Sequence, residues 1–348
     1  MNASFSARGP RTILLTGASG VIGRALAEEL RGHRVIGLVH SDNEPLALDE
    51  VLRGDLAAPR FGLTEEHWRR LAEQIDTIVH SGALTAWGQP RERYEAINIG
   101  GTRTVIELAK LAGAPVHQVS TCFVHAIERG ELDKLGPDNV VRPYIWSKLE
   151  CDRMLAASGV PHSVYRPTNL VGHSVTGASH RPQIVQTMSE WFCRGKASFF
   201  PAHRGNLVDV IPLDTTACAI ARAVEADDLG RTYWLTYGER AMTVPDAQGV
   251  LLEHAASLGR QLRPAHIVDP RLPLPVPLDQ VPATSRVFFK VLIDVSEVTH
   301  ASGGVLPTSM PELRERHGVP MPSDRDAYRR SLDYWAAQRS RTRLESVA

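Results

Sequence analysis

Two residues four positions apart, Tyr144 and Lys148, form the pattern in this chain that most directly predicts chemistry. At this spacing both side chains lie on one face of a helix, where the ammonium group is expected to lower the pKa of the phenol from its usual value of about 10. By itself the pair is also typical of a solvent-exposed helix face. Ser120 and Thr121 end an apolar strand upstream and supply further polar groups. The combination favours catalysis.

A glycine-rich turn, Thr16-Gly17-Ala18-Ser19-Gly20-Val21-Ile22-Gly23, lies between an apolar run and an amphipathic stretch. Gly17 permits a tight turn, Gly20 lets the backbone approach a phosphate, and Gly23 lets the helix pack on the strand. The helix N-terminus adds free N–H groups and the positive end of its dipole. Glycine turns are common, so this one alone is weak evidence. Together with the tyrosine–lysine pair downstream, it predicts an oxidoreductase that binds a dinucleotide.

The elements that must position these groups alternate along the first half of the chain. Strands are predicted at 11–16, 34–39, 76–80, 115–120 and 162–166, and helices at 21–31, 64–73, 91–112 and 143–158. This alternation indicates right-handed βαβ units and an α/β fold with a Rossmann-type, doubly wound parallel sheet. We expect an NADP-binding Rossmann domain over residues 10–172 and a smaller C-terminal substrate-binding lobe, interleaved with it, over residues 173–348.

The pattern is weaker beyond residue 172. Further elements are predicted as a strand at 206–211, a helix at 213–226, a short strand at 233–235 and a helix at 244–258. Residues 264–282 contain six prolines. They are expected to form an extended polyproline II connector, because proline cannot donate a ladder hydrogen bond.

Charge and composition exclude several classes of protein. The chain of 348 residues has 39 basic and 39 acidic residues, so nothing in its charge favours binding to nucleic acid or to an anionic membrane. No apolar stretch approaches the length that spans a bilayer, and the N-terminus lacks the apolar core of a signal peptide. The 4 cysteines and 14 histidines show no zinc-binding spacing, so no metal is expected. A soluble cytoplasmic protein is predicted.

Six motifs in a fixed order, which follow the glycine turn, resemble the extended short-chain dehydrogenase/reductase family. They are Gly54-Asp55-Leu56, Val79-His80-Ser81-Gly82-Ala83, Asn98-Ile99-Gly100-Gly101-Thr102, Ser120-Thr121, Tyr144-x-x-x-Lys148 and Arg166-Pro167. The resemblance covers most of residues 11–172 and continues more weakly to about residue 235. It implies an NAD(P)H-dependent oxidoreductase that is a monomer or a homodimer.

The resemblance implies four catalytic residues. Hydride transfer to a carbonyl builds negative charge on its oxygen, so a proton donor is needed beside it. Tyr144 is implied as that donor, with Lys148 tuning it and Thr121 donating a second hydrogen bond to the substrate oxygen. Asn98 is implied to fix the local backbone and to help hold the lysine through water. By contrast, we expect His80 and Cys122 to be packed strand-end residues rather than an acid/base and a nucleophile.

The same resemblance implies a larger set of cofactor contacts. They are Gly17, Ser19, Gly20, Val21, Ile22, Gly23 and Arg24 at the turn, His40, Asp55 and Leu56 at the adenosine end, Gly82 and Ala83 in the middle, and Tyr144, Lys148, Pro167 and Leu170 at the nicotinamide end.

The end of the second strand bears on the choice of cofactor. NAD enzymes of this type commonly place an acid there to accept hydrogen bonds from the ribose. Val39 stands in its place and cannot accept one, while His40 stands where relatives that prefer NADPH often have arginine. Arg24 offers a second cation for the extra phosphate. Asp42 could serve the ribose if the loop is shifted, which would favour NADH. We expect NADPH to be preferred over NADH.

Within the family, the chain is most similar to the thioester reductase and fatty acyl reductase branch. The similar segments are Gly82–Trp87 with Tyr94, Tyr144–Glu150 and Val208–Asp214. Such enzymes release an acyl group from a carrier-protein or coenzyme A thioester as an aldehyde, and some reduce it further to the alcohol. An acyl carrier protein is therefore an implied partner. His40 departs from the arginine that is usual in that branch.

Other interpretations of the sequence stay open. An NAD(P)-dependent carbonyl reductase or alcohol dehydrogenase that acts on a free small molecule has the same motifs. A non-catalytic nucleotide-binding protein shares the fold, although the full catalytic set disfavours it. Trp191, Phe192, Phe199 and Phe200 could shape an acyl channel or belong to an ordinary core.

Overall fold

The structure of the protein is a computed structural model that describes residues 9–41, 46–131 and 135–345. Its strands are β1 (Thr12–Thr16), β2 (Arg34–Val39), β3 (Glu50–Arg53), β4 (Thr77–His80), β5 (Val116–Val119), β6 (His162–Pro167), β7 (Asn169–Val171), β8 (Phe199–Pro201), β9 (Leu207–Val208), β10 (Val210–Pro212), β11 (Thr232–Leu235), β12 (Met242–Thr243) and β13 (His266–Val268).

Its helices are α1 (Val21–Glu29), α2 (Glu65–Gln74), α3 (Arg91–Tyr94), α4 (Gly100–Ala112), α5 (His125–Glu128), α6 (Arg142–Ala157), α7 (Ile184–Cys193), α8 (Leu213–Glu225), α9 (Val244–Ser257), α10 (Ala283–Ala301), α11 (Met310–His317) and α12 (Asp324–Glu345). In the part of the chain that the structure describes, no helix is both long enough and apolar enough to cross a membrane.

A seven-stranded sheet with the order β11-β6-β5-β4-β1-β2-β3 forms the centre of the molecule. All of its pairings are parallel. The strand order reverses between β1 and β4, which opens a crevice at the carboxyl ends of these two strands. The predicted Rossmann-type fold is therefore confirmed, and the reversal sets the place where a dinucleotide binds.

Apolar layers cover both faces of the sheet. Ile13 and Leu15 of β1 belong to one buried cluster, which includes Leu26 of α1 and Ile220 of α8. Leu14 points into a second cluster with side chains of α2 and α4. Successive strand residues face opposite sides, so a near-continuous apolar run is what a doubly covered parallel strand requires.

The second half contributes to the sheet and also forms a separate apolar cluster. β11 supplies the edge strand, while α7, α9 and α12 surround side chains that include Trp191, Phe192 and Phe199. Phe199 stacks on Phe289 of α10 with ring centroids 4.4 Å apart. For Phe199, which is fully buried, core packing is therefore the correct interpretation.

Several predicted elements differ from the observed ones. The helix expected over 91–112 contains a π-helical turn at Glu95–Ile99, and the strand expected over 206–211 is split into β9 and β10. The proline-rich stretch is not wholly free of ladder bonds, because β13 pairs with β8 in parallel. The elements that were not predicted are β3, β7, β8, β12, β13, α5, α7, α10, α11 and α12. The partly buried side chains of Leu274, Val276 and Leu278 anchor the proline-rich stretch on the apolar cluster of the second half.

Candidate active site

The buried face of α6 carries the predicted catalytic pair. Tyr144 is 8% exposed and Lys148 is 5% exposed, and both point toward the end of β5, where Thr121 follows the strand. The Thr121 side chain acts on the Tyr144 phenol and lowers its pKa. The Lys148 Nζ donates to the Val119 carbonyl oxygen at 2.5 Å. The fold thus brings three of the four predicted catalytic residues into one small volume.

The ionisation of Tyr144 differs from the sequence-based expectation. Burial raises the pKa of this phenol well above its usual value, and the Thr121 side chain opposes that shift only in part. Burial therefore outweighs any lowering of the Tyr144 pKa by Lys148, whose ammonium group donates to the Val119 carbonyl oxygen. The phenol is therefore protonated near neutral pH. This is the form that can donate a proton to a developing oxyanion.

Asn98, the fourth predicted catalytic residue, lies in the π-helical turn. Its Nδ2 donates to the Ser147 Oγ at 2.9 Å and to the Leu84 carbonyl at 3.2 Å, and its Oδ1 accepts from the Leu84 N–H at 2.8 Å. The Ser147 Oγ in turn donates to the Tyr144 carbonyl oxygen at 2.7 Å. The amide therefore ties the cleft segment at Leu84 to the catalytic helix. A π turn often marks a functional position, because it redirects one side chain.

An open cleft of about 1240 Å³ lies at the carboxyl ends of β1 and β4. Its wall contains eleven of the predicted cofactor contacts: Gly17, Ser19, Gly20, Val21, Ile22, His40, Asp55, Leu56, Gly82, Ala83 and Leu170. The wall also contains Gly54, Ser81, Leu84 and Thr85, which lie in the sequence motifs and segments given above. Five further wall residues were not indicated by the sequence: Leu38, Arg93, Ile97, Arg181 and Gln183. Arg181 and Gln183 lie in the loop before α7, where no motif marks them.

The backbone of the glycine turn fits a pyrophosphate group. Gly17 has a φ of 67°, and a Cβ there would lie 2.6 Å from the Gly82 Cα. A Cβ on Gly23 would lie 2.1 Å from the Gly17 carbonyl oxygen. Gly20 precedes α1 in an extended conformation, and no described side chain caps the helix. The N–H groups of the first turn are thus left for an anion at the cleft wall.

Five predicted cofactor contacts do not lie on the cleft wall: Gly23, Arg24, Tyr144, Lys148 and Pro167. Gly23 packs beneath the turn. The Arg24 Nε donates to the Ser19 carbonyl oxygen at 3.2 Å, so its guanidinium group stabilises the glycine turn. The other three stand around the catalytic centre.

The adenosine end of the cleft is marked by a histidine and an acid. The His40 Nε2 lies 3.9 Å from the Asp55 Oδ2, with side chains 70% and 49% exposed. Val39, by contrast, is buried. Asp42, the group that would argue for NADH, lies outside the described residues.

His80 and Cys122 are packed groups, as predicted. The His80 Nδ1 lies 2.7 Å from the Thr16 Oγ1 and its Nε2 lies 3.2 Å from the Thr102 Oγ1. Burial lowers the pKa of His80 to about 3, so the ring is neutral. Burial raises the pKa of the fully enclosed Cys122 thiol. Neither residue is suited to acid/base or nucleophilic chemistry.

A second, apolar cavity is lined mainly by residues of the second half of the chain. Phe123, two residues after Thr121, and Thr168, next to Pro167, line its catalytic side. The remaining wall includes Trp191, Phe192, Phe200, Val208, Ala247, Leu251, Val291 and Tyr328. Of the four aromatic residues singled out in the sequence, three therefore face this cavity.

One carboxylate, Asp209, is part of the cavity wall. Its oxygens accept hydrogen bonds from the backbone N–H groups of Tyr237, at 2.9 and 3.0 Å, and Gly238, at 3.1 Å. Burial nevertheless raises its pKa to about 7. Among the described residues, no group of histidine, cysteine and acidic side chains is arranged to hold a metal ion.

Comparison with known proteins finds similarity to reductases and to biosynthetic synthetases. Residues 49–220 match the family model described as male sterility protein. Glycine betaine reductase ATRR of Emericella nidulans is 29% identical over 250 residues, which are 60% of this chain and 19% of that protein. A linear gramicidin synthase from Brevibacillus parabrevis is 31% identical over 54% of this chain and 4% of that protein. The chain thus spans less than a fifth of the length of these relatives.

Solved structures agree on the fold. The terminal R domain from the myxalamid PKS-NRPS biosynthetic pathway is 24% identical, with a TM-score of 0.72 over 97% of this chain and 95% of that chain. UDP-glucuronic acid 4-epimerase from Bacillus cereus, in complex with NAD, is 16% identical, with a TM-score of 0.64 over 94% of this chain and 99% of that chain. The fold is that of these reductase and epimerase structures, and residues 49–220 match the male sterility family model.

Proposed function

We propose that this reductase acts on an acyl thioester, held by a carrier protein or by coenzyme A, and converts it to an aldehyde with NADPH. The observation that carries the proposal is the apolar cavity whose wall includes Phe123, two residues after Thr121, and Thr168, next to Pro167. An acyl group can enter this cavity while its carbonyl carbon stays at the catalytic face. The lining of the cavity also supports two binding regions: residues 10–172 bind the cofactor, and most of residues 173–348 bind the substrate.

The described residues supply what thioester reduction needs besides hydride. NADPH, when bound in the cleft, supplies the hydride. The protonated phenol of Tyr144 and the hydroxyl of Thr121 donate hydrogen bonds to the carbonyl oxygen and stabilise the negative charge that develops on it. The phenol then gives up its proton, and collapse of the thiohemiacetal releases the thiol and leaves the aldehyde. Lys148 and Asn98 hold the helix that carries the phenol.

The preference for NADPH is part of the proposal. His40 lies on the wall at the adenosine end of the cleft, where a 2′-phosphate would be placed, and Arg24 braces the turn at its pyrophosphate end. Val39 has no hydrogen-bonding group to offer the ribose. The His40 side chain is 70% exposed, so its imidazole can turn toward a phosphate and donate a hydrogen bond to it.

A carrier-bound substrate is supported by the relatives. Several of them are named as hybrid polyketide synthase–nonribosomal peptide synthetases, of which this chain matches about 6% of the length. A segment of this kind would meet its substrate on a carrier. We therefore propose that a carrier-protein thioester is the physiological substrate, with coenzyme A thioesters as simpler analogues.

The experiment is to incubate the protein with NADPH and a panel of acyl thioesters, free ketones and free aldehydes. NADPH oxidation is recorded together with release of free thiol. We expect thiol release with thioesters, and its loss in Tyr144→Phe. Reduction of a free ketone without thiol release from any thioester would instead identify a carbonyl reductase. Binding of NADPH without any turnover across the panel would favour a non-catalytic role.

A further inference from the structure

A third buried polar residue, Asp152, lies on the catalytic face of α6. It is 6% exposed and follows Lys148 by four residues, as Lys148 follows Tyr144. At this spacing the three side chains are neighbours along one face of the helix. None of the catalytic roles proposed above involves Asp152.

The carboxylate of Asp152 connects α6 to two strand ends. Its Oδ2 accepts hydrogen bonds from the Ser120 Oγ at 2.9 Å and from the Arg166 Nη2 at 3.0 Å and Nε at 3.3 Å. Its Oδ1 accepts from the Gln118 Nε2 at 3.3 Å. Ser120 precedes the catalytic Thr121, and Arg166 precedes Pro167 at the nicotinamide end. One carboxylate therefore holds together the helix and the two strands that frame the reaction centre.

Arg166 is shared between two acids. Its guanidinium group also pairs with Glu128 of α5, at 2.8 and 2.9 Å, and lies 4.6 Å from the ring centroid of Trp234. On α5, the His125 Nδ1 is 3.9 Å from the Glu128 carboxylate. Because Glu128 remains beside it, Arg166 keeps a charged partner even when Asp152 is neutral.

The charge of Asp152 affects the pKa of Lys148. Burial lowers the pKa of Lys148, while its helix neighbours Cys151 and Asp152 raise it. Burial raises the pKa of Asp152, and Arg166, Ser120 and Lys148 lower it. The two groups thus stabilise each other's charged forms in a site from which water is excluded.

We propose that Asp152 is a positioning residue for this active site: its carboxylate fixes α6 against the ends of β5 and β6, and its charge, one helical turn from Lys148, favours the ammonium form of that lysine. This inference rests on the proposed roles of Tyr144 and Lys148. It does not depend on whether the substrate is a thioester.

The test is Asp152→Asn, which keeps the side chain's shape and one acceptor oxygen but removes the charge. Lys148 is an expected cofactor contact at the nicotinamide end, so loss of its charge should weaken the binding of NADPH. NADPH affinity, measured directly by energy transfer from tryptophan to the nicotinamide, is followed from pH 6 to pH 11. We expect affinity in the variant to fall at a pH lower by about one to two units than in the wild type. A shift of this size in the pKa of Lys148 is expected when one charge is lost at roughly 6 Å, the spacing of side chains one helical turn apart, with an effective dielectric constant of about 20.

Three further variants separate the two parts of the proposal. Glu150→Gln removes a charge that pairs with the exposed Arg153, and it should leave the pH profile unchanged. Asp152→Glu should retain the wild-type profile. Ser120→Ala removes one hydrogen bond to the Asp152 carboxylate but no charge. It should therefore lower kcat several-fold without shifting the pH profile of NADPH affinity. This variant also tests whether Asp152 fixes α6 against the strand ends if Asp152→Asn does not fold.

The outcomes are distinct. An Asp152→Asn profile that coincides with that of the wild type, or an equal shift in Glu150→Gln, overturns the charge role. An unchanged kcat in Ser120→Ala overturns the proposal that the Asp152 carboxylate fixes α6 against the strand ends. A wild-type protein that binds NADPH with the expected pH profile but releases no thiol from thioesters contradicts the proposed function and leaves this inference standing.

Discussion

Replacing Gly23 by alanine should damage the dinucleotide site through the backbone alone. A Cβ at this position would lie 2.1 Å from the Gly17 carbonyl oxygen and 2.8 Å from the Ala18 Cα. Cβ contacts this short do not occur, so the start of α1 must move away from the turn by roughly an ångström. Such overpacking costs about 1–3 kcal/mol, which corresponds to a fall in Tm of roughly 1–4 °C in a protein of this size. The same movement withdraws N–H groups from the pyrophosphate, each worth about 1.5–3 kcal/mol when the partner is charged.

We therefore expect Gly23→Ala to bind NADPH and NADH about tenfold to a hundredfold more weakly, because both share the pyrophosphate. Thermal unfolding and fluorescence titration with each cofactor measure the two effects. Gly32→Ala is the matched control, since a Cβ at Gly32 meets nothing within 4 Å. A Gly23→Ala protein with wild-type Tm and wild-type affinity would refute the assignment of this turn as the cofactor site.

Further predictions concern the proton donor, the cofactor phosphate, the acyl cavity and acid stability. Tyr144→Phe should lower kcat by on the order of a hundredfold to ten-thousandfold at unchanged cofactor affinity, and near-normal turnover would show that another group donates the proton. His40→Ala should weaken NADPH several-fold and leave NADH unchanged in the same titration; an equal loss for both would place the 2′-phosphate elsewhere. Ala247→Phe, which fills the apolar cavity, should raise KM for long acyl thioesters and spare acetyl thioesters, and a uniform effect on both would argue against an acyl site there. His80, whose pKa is lowered to about 3 in the fold from about 6.5 when unfolded, must stay neutral, so its stabilising effect is full above pH 6.5 and is lost as the pH falls toward 3. The difference in unfolding free energy between wild type and His80→Asn should shrink over that range in urea titrations, and a constant difference would mean that the ring is not buried neutral.

The first half of the fold could be predicted because its sequence patterns are local. An apolar run such as Ile13–Leu15 is typical of a strand covered on both faces, and the glycine turn that follows has few alternatives. The tyrosine–lysine spacing placed both side chains on one helix face correctly. The pKa of Tyr144 was not predictable, since it depends on burial and on the direction of the Lys148 ammonium group, which only the packed structure defines.

The substrate half was harder to predict because its signals are long-range. α12 has strongly polar composition, and its buried residues Ala327, Tyr328 and Leu332 occupy only a narrow stripe. Arg181 reaches the cofactor cleft from a loop that no motif marks. Its neighbour Ser179 accepts a hydrogen bond from Trp335 of α12 at 3.2 Å, a contact between residues far apart in the sequence.

The central claim is that hydride adds to a thioester carbonyl at Tyr144 and Thr121. The most direct measurement uses NADPH carrying deuterium at the transferable position of the nicotinamide, together with an acyl pantetheine thioester. Mass spectrometry of the products and a thiol assay are run on the same sample. We predict an aldehyde with one deuterium on its carbonyl carbon and one free thiol for each NADPH oxidised. Oxidation of NADPH with no deuterium in any acyl-derived product, or with the thioester intact, would contradict it.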